Sequence, residues 1–375
     1  RILHGVIRKK KLKHIRMKKN FTLIIAFISL LSFGQIPAGY YDSATGTGYT
    51  LKTQLFNIIS TGTIDPGYGA LYTTYLTSDI DLYYENNGTV LDMYTENPTG
   101  PDLCEYTYGI NQDDGTGGTS ECQKYNREHI IPQSVFSSAT PMYSDAHFVT
   151  PSDKYVNAQR GNLPFGVVNS ANWTSSNGSK RGSNLNSGYS AGYTGTVFEP
   201  INEFKGDIAR MYFYFITRYQ DQVTGWSYDM FNGTSNQVLT NTFLNILLTW
   251  HLNDPVSQRE IDRNNAIYTY QNNRNPFIDN PNYVCDIWPT QCTALSSQEF
   301  ILNNVAVFPN PSKNGEFSIT TTAELKNIAI YNVNGQLVQE IKNPNAIENS
   351  TYKVNNLATG FYMLQLQTEN ASVTK

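Results

Sequence analysis

The stretch Tyr125-Asn-Arg-Glu-His-Ile-Ile-Pro132, together with Asp145-Ala-His-Phe-Val-Thr-Pro-Ser-Asp-Lys-Tyr-Val-Asn-Ala-Gln-Arg-Gly161, decides the fold of this chain. The first stretch is compatible with a strand that ends before Pro132, because proline cannot donate to a sheet ladder. The second stretch predicts a strand, a turn and a short helix. Ser152 is a suitable N-cap for that helix, and Gly161 is a suitable residue to end it.

These two stretches contain four side chains suited to catalysis. Glu128 and His129 are adjacent. Neighbours in a regular strand point to opposite faces, so the backbone must leave strand geometry for both to serve one site. Asn157 and Arg160 are three residues apart and share one face of the helix. A carboxylate and an amide oxygen suit a hard cation, and a guanidinium suits a phosphate. The alternative is a surface Glu128 beside a packed His129, with Asn157 in a local backbone bond.

Histidine is scarce, with five residues in the whole chain. His4 and His14 precede the first methionine. General acid–base chemistry near neutral pH therefore falls first to His129, His147 and His251. The adjacent Glu and His do not have the H-E-x-x-H spacing, which excludes a helical zinc protease site. His251 ends an apolar helix, and we expect a structural role for it.

Further short motifs follow in a specific order along the chain. They are Arg127-Glu-His129, Asp145-Ala-His147, Asn157-Ala-Gln-Arg160, Phe213-Tyr-Phe215, Trp250-His-Leu-Asn-Asp254 and Asn273-Arg-Asn-Pro-Phe-Ile-Asp279. This ordered set resembles the bacterial endonuclease I family over residues 50–290. The resemblance implies a ββα-metal nuclease fold, and we predict an α+β chain with a helix-rich nuclease domain followed by a small all-β sandwich domain.

The resemblance also implies roles for individual residues. Glu128 and Asn157 would hold one Mg²⁺, with Mn²⁺ or Ca²⁺ as alternatives, and His129 would be the general base. Arg160 would balance phosphate charge. His147 would support the site, and a hydrogen-bonded core position is the alternative for it. The family hydrolyses DNA, and often RNA, and leaves 5′-phosphates, which implies a non-specific endonuclease here. We expect it to act as a monomer.

The excess of acidic residues in this chain argues against a nucleic-acid partner. Residues 1–35 contain nine of the 27 Lys and Arg and no acid, so loss of a leader would leave 18 basic residues against 31 acidic ones. Polyanion-binding domains are usually basic. We therefore expect binding to depend on the cation and on a local basic patch, with modest affinity and strong salt sensitivity. The candidate patch residues are Arg127, Lys154, Arg160 and Arg274. A plain helix-ending turn is the alternative for Arg274.

The N-terminus has the pattern of a secretory signal. Residues 1–16 hold seven Lys or Arg and precede Met17, and we interpret them as upstream sequence. Two lysines, an apolar stretch over 21–33 and Gly34-Gln35 follow, as in a signal peptide. We predict four segments, which are upstream residues and signal peptide (1–35), the catalytic domain (36–293), a linker (294–302) and a tail domain (303–375).

The tail alternates apolar and polar residues in short runs, and the turn Asn334-Gly335 is a strong hairpin signal. This pattern predicts a small β-sandwich. Its motifs Val307-Phe-Pro-Asn-Pro311, Ile330-Tyr-Asn-Val-Asn-Gly335 and Leu357-Ala-Thr-Gly-Phe-Tyr362 resemble the C-terminal sorting domain of the type IX secretion system. The resemblance implies export by that machinery to the cell surface or medium, with removal of the tail. Such domains usually run a few residues further, through a final basic strand, so the end at Lys375 departs from the usual pattern.

The chain has four cysteines, an even number, and the leader directs it to an oxidising space, so disulfides are expected. None of the cysteines forms a C-x-x-C pair, which argues against a zinc site. Three pairings are possible. We favour the local one, Cys104–Cys122 and Cys285–Cys292.

Outside the motifs, apolar spacing predicts several secondary-structure elements. Residues 51–58 and 71–76 have helical spacing. The runs Val90–Tyr94 and Cys104–Tyr108 are strand-like, and the Asn-, Ser- and Gly-rich stretch from Gly161 to Gly195 predicts a long surface loop. Three helices follow, and the first, around residues 208–219, has one apolar face.

Two other functions are compatible with the sequence. A non-catalytic secreted surface or glycan-binding protein would suit the 26 tyrosines and the acidic balance. A different hydrolase with an Asp/Glu pair is the second alternative, although no such pair stands out.

Overall fold

The computed structural model of the chain describes residues 36–295, 305–312, 314–321, 324–346, 351–368 and 372–375. The predicted leader (1–35) and most of the predicted linker (294–302) lie outside these residues. Among the described residues, none of the helices is long and apolar enough to cross a membrane. Residues 36–40 form a short turn of their own, closed by a 3.0 Å bond from the Tyr40 N–H to the Pro37 carbonyl.

The helices of residues 41–295 follow the apolar spacing of the sequence. Helix α1 (Gly48–Ser60) buries Leu51, Leu55 and Ile59, which recur every four residues and so lie on one face. The other α-helices are α2 (Leu71–Ser78), α3 (Lys154–Arg160), α4 (Lys205–Arg218), α5 (Asn241–Asn253), α6 (Gln258–Gln271), α7 (Pro276–Asp279) and α8 (Asn282–Ile287). Short 3₁₀ turns lie at Tyr68–Ala70, Met142–Ser144, Gly188–Ser190, Asn202–Phe204 and Val223–Gly225.

Helix α4 is at the centre of this region and is buried on every side, with α1 and α5 packed against it. The prediction of a single apolar face on α4 is therefore wrong. Its polar residues are buried because they have charged partners on α6. Asp207 pairs with Arg259, and Arg210 pairs with Glu260 at 2.5 Å. Such pairs allow charged side chains to occupy a face that sequence spacing would assign to solvent.

The two decisive stretches form an antiparallel strand pair that leads into a helix. Strand β1 (Tyr125–His129) pairs with β2 (Val149–Asp153), and Glu128 lies opposite Thr150. Helix α3 follows β2 directly. This is the ββα arrangement that the resemblance implied.

The helix cap differs from the predicted one. The N-cap of α3 is Asp153 and not Ser152, because Asp153 Oδ1 accepts a 2.8 Å bond from the N–H of Val156. Asp153 is also the last residue of β2, so the strand passes into the helix without the predicted turn. Gly161 ends the helix at φ 54°, a conformation that favours glycine.

A three-stranded antiparallel sheet lies where the sequence predicted a loop. Strands β3 (Val168–Thr174), β4 (Lys180–Asn184) and β5 (Thr196–Glu199) pair in the order β3-β4-β5. The prediction of a surface loop from Gly161 to Gly195 is wrong over β3 and β4. Most side chains of β3 are half-buried or exposed, so the strand has no apolar face and its sequence lacks the alternation that identifies a strand.

The two strand-like runs before β1 are not strands. Asp92 Oδ1 accepts a 3.0 Å bond from the N–H of Tyr94, which turns the chain within the first run. Val90 forms only an isolated bridge with Ile80. The second run, Cys104–Tyr108, is irregular and buries Cys104 and Tyr106. Apolar and aromatic runs of this length predict burial, and here burial occurs without a strand.

The described part of the tail forms two sheets around a core of its own. The turn at Asn334-Gly335 joins two paired strands, as predicted. The strands are β6 (Ala306–Phe308), β7 (Phe317–Thr320), β8 (Asn327–Asn332), β9 (Leu337–Lys342), β10 (Thr351–Val354), β11 (Tyr362–Gln367) and β12 (Ser372–Thr374). The strand order is β10-β7-β6 in one sheet and β12-β11-β8-β9 in the other. Both sheets contribute to one hydrophobic cluster that contains Ile319, Ile330 and Leu366.

Candidate active site

A cavity of about 260 Å³ opens beside the end of β1 and the length of α3. It brings together five of the predicted site residues, which are Arg127, Glu128, His129, Asn157 and Arg160. Its remaining lining residues are Tyr68, Tyr72, Asp113, Asn126, Pro132, Gln133, Ala158, Gly161 and Asn162.

Glu128 is buried, and its carboxylate is held by two donors. The Tyr94 hydroxyl donates to Oε1 at 2.9 Å, and Arg160 Nη1 donates to the same oxygen at 3.0 Å. Burial raises the pKa of Glu128 to about 6, although the Arg160 charge opposes that rise. Because both side-chain bonds go to Oε1, Oε2 is the oxygen that neither donor occupies.

His129 is held in one orientation and one protonation state. Its Nε2 lies 3.1 Å from the backbone carbonyl of Tyr143. A carbonyl can only accept, so Nε2 carries the proton and Nδ1 is the basic nitrogen. The ring stacks on Tyr143, with centroids 5.3 Å apart and planes 12° apart. Burial lowers the pKa of His129 to about 4, so the imidazole is neutral at neutral pH.

Asn157 is oriented by its neighbour across the strand–helix junction. Its Nδ2 donates a 2.8 Å bond to Asn126 Oδ1, so the amide nitrogen is engaged and the amide oxygen is not used in that bond. Asn157 and Glu128 thus present an amide oxygen and a carboxylate oxygen to one cavity. Oxygen donors of these two kinds are what Mg²⁺ and Ca²⁺ prefer, so the residues present fit a hard divalent cation.

Arg160 lines the cavity, and its guanidinium is engaged by the protein. It is 1% exposed and donates from Nη1 to the His129 carbonyl (2.8 Å) and from Nη2 to the Ile130 carbonyl (2.6 Å), besides its bond to Glu128. These are the carbonyls at which the chain leaves β1. Arg160 therefore anchors the end of the strand that carries Glu128 and His129. Because the chain leaves β1 at this point, the two adjacent side chains can both line the cavity.

The other predicted basic residues are not all at the cavity. Arg127 lines it, with its guanidinium 3.5 Å from the centroid of the Tyr68 ring. Lys154 is engaged with Asp113 at 2.9 Å. Arg274 is 1% exposed and pairs with Asp279 at 2.6 Å, so the structure does not bring it to the cavity.

His147 is a buried residue behind the site. It is 1% exposed, and its Nε2 lies 3.1 Å from the carbonyl of Asn273. Asn273 in turn donates to the Tyr214 hydroxyl at 2.8 Å. His147 does not line the cavity. His251 is likewise buried, with Nε2 3.1 Å from the Pro281 carbonyl.

Three residues that hold the site were not identified from the sequence. Tyr94, Asn126 and Tyr143 orient Glu128, Asn157 and His129 respectively. Asn126 adjoins the Arg-Glu-His motif, and that adjacency was the only available signal. Tyr94 and Tyr143 are two of 26 tyrosines, and neither has a spacing that sets it apart.

Both predicted disulfides are present. Cys104 is bonded to Cys122, and Cys285 to Cys292. The first closes the chain just before β1, and the Cys122 N–H donates to Asp153 Oδ2 at 2.9 Å. The first disulfide therefore holds a residue that is hydrogen-bonded to Asp153, the N-cap of α3.

Comparison with known proteins agrees with this geometry. The family model for Endonuclease I matches residues 47–282. The chain belongs to the endonuclease I family. An extracellular ribonuclease of Bacillus subtilis (strain 168) is 33% identical over 255 residues, or 67% of this chain and 78% of the relative. An extracellular ribonuclease of Bacillus amyloliquefaciens is 33% identical over 254 residues, which cover 66% of this chain and 78% of the relative.

Membership of the endonuclease I family makes the chain a nuclease and excludes the two alternative functions. A model for the secretion system C-terminal sorting domain matches residues 306–375. This tail and the extracellular relatives identify the chain as a secreted or cell-surface protein, as predicted.

Proposed function

We propose that this endonuclease I member hydrolyses phosphodiester bonds of DNA, without sequence specificity, at a single Mg²⁺ site. The observation that carries the proposal is the convergence of Glu128, His129 and Asn157 on one cavity. RNA is proposed as a second substrate, because the relatives are named extracellular ribonucleases. Direct base recognition needs side chains that read base edges in a groove, and no segment of the sequence resembles a base-reading helix.

Glu128 and Asn157 would hold the cation, through the carboxylate and the amide oxygen. Once bound, Mg²⁺ supplies positive charge that stabilises the phosphate in the transition state and the leaving O3′. Tyr94 and Arg160 hold the carboxylate, and Asn126 holds the amide, so both oxygens are fixed before substrate arrives. Departure of O3′ gives products with 5′-phosphates.

His129 would act as the general base. Its Nδ1 accepts a proton from the attacking water, while its Nε2–H remains bonded to the Tyr143 carbonyl. The lowered pKa keeps the ring neutral, and therefore able to accept, through the neutral pH range. The bond and the stacking against Tyr143 prevent the ring from rotating away.

Arg127 would contact the phosphate backbone. Its guanidinium lies over Tyr68 and Tyr72, and it forms no ion pair with a carboxylate in the part of the chain that the structure describes. Lys154, in contrast, is paired with Asp113. Binding should weaken as salt rises, and the slope of that loss should reflect the small number of basic side chains at the cavity.

Digestion of plasmid DNA and of RNA, with Mg²⁺ and with excess EDTA, tests the proposed function. We expect cleavage of both substrates with Mg²⁺, smears rather than discrete bands at partial and full digestion, and no cleavage with EDTA. The physical reason is that the proposed transition-state charge would be stabilised by a cation held at Glu128 and Asn157, and EDTA removes that cation. Full activity in EDTA would remove the metal from the mechanism, and reproducible bands at completion would contradict the lack of specificity.

The Asn157→Ala variant tests the metal ligands separately. We expect the Mg²⁺ concentration for half-maximal rate to rise by about 10- to 100-fold, since even an outer-shell partner of a metal contributes this much. Gln133→Ala is the matched control, because Gln133 lines the same cavity with an exposed side chain and no proposed ligand role. A change of equal size in both variants would argue against Asn157 as a ligand.

A further inference from the structure

A cluster of carboxylates lies in the irregular segment between α2 and β1, outside the cavity described above. One carboxylate oxygen from each of Asp81, Glu85 and Glu96 lies within 4.8 Å of the others. A fourth acid, Asp102, borders the cluster and interacts with Glu96. None of these four residues lines the active-site cavity.

Oxygens of this cluster are buried without a donor. Asp81 and Glu96 are each 1% exposed. Asp81 Oδ2 and Glu85 Oε2 have no hydrogen-bond partner among the described residues, and the side-chain hydrogen bond of Glu96 is to another carboxyl group, that of Asp102. Nearly all buried polar atoms in native proteins are hydrogen-bonded, so unpartnered carboxylate oxygens at one place need an explanation.

No counter-charge compensates the cluster. Within the described residues, no lysine, arginine or histidine forms an ion pair with any of its acids. Burial, and then the charges of Asp102, Glu85 and Asp81, raise the pKa of Glu96 to about 9. Buried carboxylates are tolerated when they are paired, protonated or bound to a metal. Pairing with a basic side chain is excluded for these acids within the described residues. A shared proton or a bound cation remains.

The backbone arranges the cluster in advance. Asp81 Oδ1 accepts from the N–H groups of Tyr83 (3.2 Å) and Tyr84 (3.1 Å), so one oxygen is engaged and Oδ2 is left to the cluster. The Asn177 amide donates to the carbonyls of Met93 (3.3 Å) and Glu96 (3.1 Å), which fixes the backbone of Glu96. A proton shared between Glu96 and Asp102 would join only two oxygens and would leave Asp81 Oδ2 and Glu85 Oε2 without a partner.

We propose that Asp81, Glu85 and Glu96 form a Ca²⁺ site, separate from the Glu128–Asn157 site. Two oxygens on opposite sides of Ca²⁺, at its usual bond length, are about 4.6–5.2 Å apart. The three oxygens lie within 4.8 Å of one another, so one ion can contact all of them. Calcium also accepts irregular geometry from carboxylates on a loop, whereas Mg²⁺ demands an octahedron and retains water.

The proposed ion would stabilise the support of the active site. The same segment carries Tyr94, which donates to Glu128, and Asp92, which accepts from the N–H of Asp153 at the start of α3. Tyr94 is two residues from Glu96. Binding of Ca²⁺ would therefore order the chain that holds a catalytic carboxylate and the cap of the helix that carries Asn157.

The test is a Ca²⁺ titration of the EDTA-treated, dialysed full-length protein without Mg²⁺ or nucleic acid, followed by calorimetry and thermal unfolding. The Asn157→Ala background weakens metal binding at the active site, by about 10- to 100-fold as expected above, so that the titration reports mainly on the carboxylate cluster. We expect one Ca²⁺ per chain in this background and a rise in Tm of roughly 5–10 °C at 100 times Kd. The same concentration of Mg²⁺ should give a smaller rise.

Two variants in the cluster and one control decide the result. Glu96→Gln should raise the Tm of the metal-free protein, because repulsion is relieved, and should abolish the response to Ca²⁺. Glu85→Gln, at a half-buried position, should also abolish the rise in Tm with Ca²⁺. If Glu96→Gln does not fold, Glu85→Gln alone tests whether the cluster binds the ion. Glu105→Gln, on an exposed residue of the same segment, should keep the full response.

The proposal is overturned if Ca²⁺ at millimolar concentration neither binds nor raises the Tm in the Asn157→Ala background, which would indicate shared protons. It is also overturned if the response persists in Glu96→Gln and Glu85→Gln. A response to Mg²⁺ as large as that to Ca²⁺ would overturn the assignment to calcium. None of these measurements uses nuclease activity, so failure here leaves the proposed function untouched.

Discussion

The His129→Ala variant should lose turnover by about 10²–10⁴-fold, the usual contribution of a general base, while it still binds Mg²⁺ and nucleic acid. The two roles are separable because the cation would be held by Glu128 and Asn157, whereas His129 offers Nδ1 only as a proton acceptor. Its Nε2–H is committed to the Tyr143 carbonyl. Initial rates of plasmid nicking at saturating Mg²⁺ measure the loss.

The control for this variant is Gln133→Ala, which changes the same cavity without removing a basic group. Thermal unfolding of both variants shows whether the fold is retained. Near wild-type turnover of His129→Ala would show that another group accepts the proton. A large rise in the Mg²⁺ requirement, with turnover retained at saturation, would instead identify His129 as a ligand. His147 is not a substitute base, because it is buried behind the site and bonded to the Asn273 carbonyl.

That Glu128, His129 and Asn157 line one cavity could be predicted, because they are close together in sequence. Glu128 and His129 end one strand, and Asn157 lies on a seven-residue helix that follows the paired strand. Local patterns of strand, cap and helix place such residues with little help from tertiary structure. The disulfides were predictable for the same reason, since each closes a short loop.

Contacts made across long sequence distances could not be predicted. Tyr94 and Tyr143 reach the site from irregular segments, and a tyrosine in a tyrosine-rich chain has no distinguishing pattern. The exposed strands β3 and β4 lack apolar alternation, so they resembled a loop. Arg274 was a candidate for the basic patch, with a plain helix-ending turn as the alternative, but it pairs with Asp279, five residues later, and is buried.

The contacts of Arg160 suggest a second role for this residue beside the predicted one. The sequence predicts a guanidinium beside the cation ligands, and a phosphate contact is the natural interpretation of that placement. The structure engages the guanidinium with the Glu128 carboxylate and with the carbonyls of His129 and Ile130. The Arg160 guanidinium also lies over the Phe165 ring, 4.7 Å from the centroid of that ring. We infer that Arg160 is a positioning residue that acts through Glu128 and the end of β1.

The Arg160→Met variant should therefore lose stability and not only activity. Removal of one partner of a buried ion pair costs about 3–5 kcal/mol, because the remaining charge stays buried and uncompensated. For a chain of this size the Tm should fall by roughly 6–20 °C. Arg160→Lys should fall between wild type and Arg160→Met, since it keeps the charge but not the three directed bonds. Arg181→Met, which alters an arginine bonded to Gln159 at the edge of the same helix, is the matched control and should change stability by about 0.5 kcal/mol or less.

A double-mutant cycle with Glu128→Gln separates positioning from phosphate binding. If Arg160 acts through Glu128, the two losses of stability should not add, because Glu128→Gln removes the charge that Arg160→Met leaves uncompensated. Thermal unfolding without metal or nucleic acid measures this coupling, and a phosphate contact would leave it at zero. A stable Arg160→Met protein with a raised KM for nucleic acid would restore the phosphate contact as its role. An unstable protein whose stability partly recovers in the double variant would place Arg160 in the scaffold that holds Glu128 and His129 at the cavity.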